Sequence, residues 1–134
     1  MAIFKAFTSL EQSKKLAEIL PLESADMYYF LDPTPAGNIY HLVVQRIDFG
    51  VRTREPEYDK GDIAVWSLYT LLELIPDKIS INNETYYLSF TKKSVEFRGP
   101  ITWDGQKAIS VEMDNILDAA FEMIVKLHDE LKLL

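Results

Sequence analysis

Residues 63–75 read Ile-Ala-Val-Trp-Ser-Leu-Tyr-Thr-Leu-Leu-Glu-Leu-Ile. This run predicts an apolar helix, with Asp62 as its N-cap. Three polar residues interrupt the run: Ser67, Thr70 and Glu73. Their three-residue spacing distributes them around the helix axis, so they form no wide polar face. A helix this apolar must be covered on nearly all sides, by its own domain or by a second chain. We therefore expect a homo-oligomer, most simply a dimer, that associates through helix 63–75.

Aromatic residues supply the interface candidates. Tyr and Trp combine a large contact area with a polar end, and they are frequent in buried protein interfaces. Trp66 and Tyr69 lie on the apolar run, and Tyr87 lies on the polar side of a predicted strand. Core packing accounts for most of the other aromatic residues.

The N-terminal part of the chain predicts a strand, a helix and a hairpin. A short strand is expected at 2–7, and a helix follows it with two overlapping capping boxes, Thr8 with Glu11 or Ser9 with Gln12. Strands are expected at 27–31 and 39–47, joined through a turn rich in Pro and Gly. The centre of the second strand is apolar on both faces, which predicts a central position in a sheet covered on both sides.

The C-terminal part predicts more strands and a last helix. Strands are expected at 85–91, 94–98 and 108–111, the last at a sheet edge. Asp114 is the expected N-cap of an amphipathic helix that runs to about Leu131. The fold class is therefore α+β, with a mostly antiparallel sheet of about five strands and three helices in the order βαββαβββα. We expect a single domain over residues 1–134.

Composition excludes several classes of function. The chain has 134 residues, no cysteine and a net charge of −7. Without cysteine there are no disulfides, thiolate metal sites or Cys nucleophiles. An acidic chain is a poor match for phosphate backbones, so we expect no direct nucleic-acid binding. The longest apolar run is about 20 Å as a helix, too short to span a bilayer. The N-terminus lacks the pattern of a signal peptide, so we expect a cytoplasmic location.

Residues suited to catalysis are few. His41 and His128 lie far apart and lack the helical spacing of a metal pair. We expect His128 to be a partly buried histidine on the apolar side of the last helix, and His41 to lie within the long strand. The chain contains no Gly-rich phosphate loop and no Gly-x-Ser-x-Gly motif. We therefore predict no catalytic, cofactor-binding or metal-binding residues, and no enzymatic activity.

Three stretches carry a resemblance. They are Pro-Leu-Glu-Ser-Ala-Asp-Met-Tyr-Tyr at 21–29, Trp-Ser-Leu-x-x-Leu-Leu-x-x-Ile-Pro at 66–76, and Leu-His-x-x-Leu-Lys-Leu-Leu at 127–134. Together they resemble small uncharacterised bacterial proteins of the prophage or mobile-element type. The resemblance implies a cytoplasmic accessory role, and it brings no assigned activity and no functional residue.

The leading hypothesis is therefore a non-enzymatic interaction protein that self-associates through helix 63–75. One alternative is an acidic inhibitor, of the immunity type or a nucleic-acid mimic, that binds a basic protein partner. Its basis is an acidic stripe on the last helix, formed by Asp114, Asp118, Glu122 and Asp129. A second alternative is a small-ligand-binding domain that uses aromatic strands and the charged loop 48–62 as a lid.

Overall fold

The fold is α+β, and its strands lie in antiparallel sheets. The computed structural model describes residues 5–44, 47–48, 51–52 and 55–134. These residues contain three α-helices, a three-stranded sheet, a four-stranded sheet and one pair of two-residue strands. The predicted class and the three helices are confirmed, while the two larger sheets hold seven strands where about five were expected. The chain forms two compact units, Phe7–Thr70 and Leu71–Leu134 with residues 5–6. The expectation of a single domain stays a prediction.

The first unit begins with helix α1 (Leu10–Leu16). Of the two predicted capping boxes, the one between Ser9 and Gln12 forms. The Ser9 hydroxyl accepts from the Gln12 backbone N–H at 3.2 Å, and the Gln12 side-chain oxygen accepts from the Ser9 N–H at 3.0 Å. This reciprocal pair satisfies two donors that a helix start leaves without partners. Of the strand expected at 2–7, residues 2–4 lie outside the described residues, and Phe7 forms an isolated antiparallel bridge with Ser67.

The predicted hairpin is confirmed, but its first strand extends further than expected and its second begins two residues earlier. Strand β1 (Met27–Thr34) pairs antiparallel with β2 (Gly37–Val44) across a loop of two residues, Pro35 and Ala36. Strands β3 (Ile47–Asp48) and β4 (Val51–Arg52) pair with each other. Strand β5 (Ile63–Val65) then pairs with the other side of β1, which gives the order β2-β1-β5.

The predicted central position of the strand at 39–47 is wrong. Strand β2 lies at the edge of its sheet, and Leu42 and Val44 are 37% and 50% exposed. The central position belongs to β1, because β5 pairs with its second side. Tyr28 in β1 is fully buried. The apolar run therefore predicted the strand correctly, but it did not show whether both faces of that strand are buried. Residues 45–46 of the predicted strand lie outside the described residues.

The apolar run 63–75 is divided between a strand and a helix, so the prediction of one helix is wrong. Its first three residues form β5, and helix α2 covers only Leu68–Leu74. Asp62 is not a helix cap. Its two carboxylate oxygens accept from the backbone N–H groups of Leu31 at 3.0 Å and Glu57 at 2.8 Å. Residues 63–65 form a strand because their backbone N–H and C=O groups find hydrogen-bond partners on β1.

The second unit is a four-stranded antiparallel meander with one helix packed on it. Its strands are listed in sheet order: β6 (Lys78–Ile81), β7 (Glu84–Phe90), β8 (Ser94–Thr102) and β9 (Gly105–Glu112). The predicted hairpin through residues 91–93 and the predicted edge strand at 108–111 are confirmed. Strand β6 was not predicted. Strand β8 continues through Gly99 and Pro100 with a register shift between Arg98 and Ile101.

Helix α3 (Ile116–Asp129) packs on β8 and β9 and closes the core of this unit. Its N-cap is Asn115 and not the predicted Asp114; the Asn115 side chain accepts from the Asp118 N–H at 2.9 Å. The residues of this unit that are fully buried include Val95, Phe97, Leu117, Met123, Ile124 and Leu127. Burial of a large apolar side chain contributes roughly 1.5–3 kcal/mol, so this cluster is the main stabilising element of the unit.

Candidate functional site

The three predicted interface residues have different environments. Trp66 is fully buried. Its indole N–H donates to the Ser24 hydroxyl at 3.0 Å, and its backbone N–H donates to the Thr8 hydroxyl at 3.2 Å. Trp66 is therefore a core residue, and it presents no surface to a partner. Tyr69 and Tyr87 are 74% and 60% exposed.

Most of the apolar run 63–75 is covered within one chain. Only Tyr69 and Glu73 of this run are exposed, and Leu71 and Ile75 are buried. The sequence argument for self-association was a helix that one copy is unable to cover, and this chain covers it. Self-association through the run stays a prediction, with Tyr69 as its one exposed aromatic residue.

Both histidines have a carboxylate partner. The His41 Nε2 lies 3.2 Å from Asp32 Oδ2, and the ring stacks on Phe30 with centroids 6.1 Å apart. The His128 Nδ1 lies 2.7 Å from Asp129 Oδ1. In the part of the chain that the structure describes, no hydroxyl or amine donates to either imidazole, so a base is present without a nucleophile. Asp32 was not recognised from the sequence; its position across the hairpin from His41 is the signal that points to it.

Metal and ligand sites have little support. Among residues 5–44, 47–48, 51–52 and 55–134, no three His, Asp or Glu side chains are grouped to hold a metal ion. Of the predicted lid 48–62, residues 49–50 and 53–54 lie outside the described residues. The end of that loop is fixed by Asp62, whose bonds to two backbone N–H groups use both of its oxygens.

The second unit contains a groove between β9 and α3. Its volume is about 240 Å³, and it is lined by Val111, Met113, Glu122, Val125, Lys126, Asp129 and Glu130. The helix residues of this set are three or four apart or adjacent, which places them along one face of α3. Val111 lies on the face of β9 that α3 covers, because it is opposite the fully buried Val95. The groove therefore has an apolar floor and a charged helical wall.

The charge of the groove is negative. Three carboxylates line it, from Glu122, Asp129 and Glu130, against one ammonium group. That ammonium, Lys126 Nζ, lies 3.2 Å from Glu130 Oε2. Glu122 has no ion-pair partner within the described parts of the chain. A cationic group would therefore find an uncompensated carboxylate beside an apolar surface.

The groove lies beside a strand edge that is free among the described residues. In this part of the chain, strand β9 pairs only with β8. The Met113 N–H donates to the Lys93 carbonyl at 2.9 Å, which fixes the alternation of hydrogen bonds along the ladder. By that alternation, Ser110 and Glu112 direct their backbone groups to the free edge. A strand added there would point every second side chain to the face that α3 covers, which is the side of the groove.

Sequence reasoning found part of this wall. Of the predicted acidic stripe, Glu122 and Asp129 line the groove. Asp118 instead accepts from Lys5 Nζ at 2.7 Å and from the Asn115 side chain at 2.9 Å, so it has a structural role. Asp114 is exposed outside the groove. The sequence does not display the apolar floor, because an edge strand at 108–111 does not show which of its residues a helix covers.

Comparisons with known proteins add no identity. No protein-family model, curated protein or solved structure matched the chain. No helix in the described ranges combines the length and the apolar character needed to cross a bilayer. The resemblance to prophage-type proteins, the cytoplasmic location and the lack of direct nucleic-acid binding stay predictions.

Proposed function

We propose that this chain is a non-catalytic protein-binding module that captures an extended, basic segment of a partner protein. The segment adds to the free edge of β9 as a fifth strand, and its side chains enter the groove beside α3. The observation that carries the proposal is a strand edge, unpaired within the described ranges, next to an acidic groove with an apolar floor.

The size of the groove favours side chains over a small molecule. Ligand pockets usually measure roughly 300–1,000 Å³. The groove of about 240 Å³ is smaller and open along a strand, so it suits one or two side chains of a peptide. Backbone hydrogen bonds to Ser110 and Glu112 would hold the peptide, and the groove would select its sequence.

The chemistry of the groove favours lysine or arginine at the positions that enter it. Their aliphatic stems match the floor of Val111 and Val125, and their charged ends reach the carboxylates of Glu122 and Asp129. This arrangement supports the acidic alternative derived from the sequence, which has a basic protein partner. An inhibitor role, of the immunity type or as a nucleic-acid mimic, is a narrower form of the same proposal.

Binding of short peptides to the full chain tests the proposal. A peptide of alternating threonine and lysine should bind, measured by calorimetry, and binding should weaken as salt screens the charges. A peptide with glutamate in place of lysine should not bind. A peptide with diaminobutyrate in place of lysine keeps most of the charge at pH 7 but has a shorter stem, so it should bind at least about tenfold more weakly.

Matched variants locate the site. The double variant Glu122→Gln with Asp129→Asn should weaken binding at least about tenfold. The double variant Glu11→Gln with Asp104→Asn makes the same change in net charge at exposed positions elsewhere, and it should bind as the wild type does. A peptide methylated on the backbone nitrogens that face β9 should fail to bind. Equal losses in both double variants, or binding that tolerates methylation, would contradict the proposal.

A further inference from the structure

The edge of the other sheet, strand β2, is long, apolar and uncharged. Ile39, Leu42 and Val44 are 47%, 37% and 50% exposed, and they lie on both faces of the strand. No residue from Gly37 to Val44 carries a formal charge apart from the titratable His41. Natural proteins usually protect such an edge with charges, proline or a very short strand, because its free backbone groups pair with other chains.

The other described sheet edges carry charges or are very short. Strand β6 contains Lys78, and β9 contains Lys107 and Glu112, so the charge of a joining strand matters at these edges. Strand β5 is only three residues long. Among these edges, β2 is the one that a second strand can join without meeting a charge. The lack of charge on β2, compared with the other edges, points to pairing with another strand as the role of β2.

The hydrogen-bond alternation of β2 follows from its hairpin. Pro33 lacks an N–H and lies opposite Asn38, so that pair exchanges no hydrogen bonds. The Leu31 N–H points away from β2, because it donates to Asp62. Both facts lead to the same alternation along β2. The residues that direct their backbone N–H and C=O groups to the free edge are Asn38, Tyr40, Leu42 and Val44.

We infer that β2 pairs antiparallel with β2 of a second copy, around a two-fold axis at His41. In this register the opposed residues are Asn38 with Val44, Ile39 with Val43, Tyr40 with Leu42, and His41 with itself. Every free backbone group then meets a free backbone group, so the edge is complementary to itself. The two three-stranded sheets become one sheet of six strands.

The lack of charge on β2 removes, at this surface, the repulsion that would oppose a second copy. Each chain carries −7, so two copies repel at most of their surface. Pairing through β2 brings together only uncharged side chains and His41, and each His41 already has Asp32 as a partner. The inference agrees with the homo-oligomer expected from the sequence, but it assigns a different surface. It does not depend on the proposed peptide site, which lies in the other unit.

The mass of the full chain in solution is the first test. Light scattering should give twice the chain mass of 15.5 kDa at about 100 µM, and the mass should fall on dilution. His41→Lys places two ammonium groups opposite each other at the axis and should weaken the dimer at least about tenfold. Ile101→Lys changes a side chain that is 81% exposed in the other unit, and it should leave the dimer unchanged.

A cross-link provides a second test that does not rely on disrupting the dimer. The chain has no cysteine, so His41→Cys introduces a single thiol. In the proposed register the two residues at position 41 form a non-hydrogen-bonded pair. The Cα atoms of such a pair are about 4.5 Å apart, a distance that suits a disulfide. Mild oxidation should give a covalent dimer of His41→Cys, while Ile101→Cys should give little. A wild-type monomer at about 100 µM, or equal cross-linking of the two cysteine variants, would overturn the inference.

Discussion

The carboxylate of Asp26 accepts two hydrogen bonds from Ser67, one from its backbone N–H at 2.9 Å and one from its hydroxyl at 2.6 Å. The Ser67 hydroxyl in turn accepts from the Thr70 N–H at 3.3 Å, as an N-cap does. This pair lies where β5 ends and α2 begins. Asp26 therefore fixes the residue at which the apolar run changes from strand to helix.

Loss of this carboxylate should destabilise the chain. Asp26→Ala leaves the Ser67 N–H without its acceptor, and we expect the free energy of unfolding to fall by about 2–3 kcal/mol. Urea denaturation followed by circular dichroism measures the change. Asp104→Ala, at an exposed hairpin turn, should stay within about 0.5 kcal/mol of the wild type. Equal losses in the two variants would show that the contact with Ser67 has no special weight.

The same pair explains why the helix at 63–75 was predicted wrongly. Asp62 and Ser67 are both residue types that cap helices, and periodicity does not separate a short apolar strand from a helix. The choice depends on contacts that are distant in sequence. The Asp62 carboxylate accepts a hydrogen bond from the Leu31 N–H, and the Ser67 N–H donates to the Asp26 carboxylate. Propensity was overruled by tertiary hydrogen bonds, which one sequence does not display.

Elements with strong local signals were predicted well. The hairpin of β1 and β2, the hairpin through residues 91–93 and helix α3 each have turn or cap residues beside a periodic run. The groove was predicted only in part, because it exists only once α3 has packed on β9. The acidic residues of its wall were visible as a stripe, but a stripe does not show which of its members face a cavity.

Gly61 is a position where glycine is required. Its φ is +103°, and a Cβ there would overlap the Leu31 side chain. Gly61→Ala should therefore lower the free energy of unfolding by about 1–3 kcal/mol, mainly from backbone strain, with a smaller cost for displacing the terminal methyl group of Leu31. Gly37→Ala is the matched control, because its φ is +130° with open space around the position. Gly37→Ala should lower the free energy of unfolding by only about 1–2 kcal/mol in the same denaturation experiment. If it lowers the free energy as much as Gly61→Ala does, contact with Leu31 makes no contribution.

The turn between β6 and β7 offers a stabilising substitution. Asn82 and Asn83 both have positive φ, of 52° and 65°, as a two-residue type I′ turn requires. Asn-Gly is the favoured pair in such turns, so Asn83→Gly should raise the free energy of unfolding by up to about 0.5 kcal/mol. Asn83→Val should lower it by about 1–2 kcal/mol, because a β-branched residue is strained at positive φ. The reverse order of stability would contradict the turn assignment. This Asn pair is also the signal from which β6 was predictable.

The phenol of Tyr29 makes stability depend on alkaline pH. Burial raises the pKa of Tyr29 above its ordinary value of 10.0, and its hydroxyl donates to the Thr8 carbonyl at 3.0 Å. The folded chain thus holds this proton to a higher pH than the unfolded chain does. The resulting stability is fully present below pH 10 and is lost as pH rises through the folded pKa.

Tyr29→Phe should therefore show a shallower loss of stability above pH 10 than the wild type, in urea denaturations repeated across that range. At neutral pH it should be less stable by about 1 kcal/mol, because the hydrogen bond to Thr8 is lost. Tyr87→Phe, at a ring that is 60% exposed, should keep the alkaline slope of the wild type. Absorbance at the phenolate band provides an independent readout, since the Tyr29 variant should lack the phenol that ionises late. Identical slopes for the wild type and Tyr29→Phe would show that burial of this hydroxyl does not couple to folding.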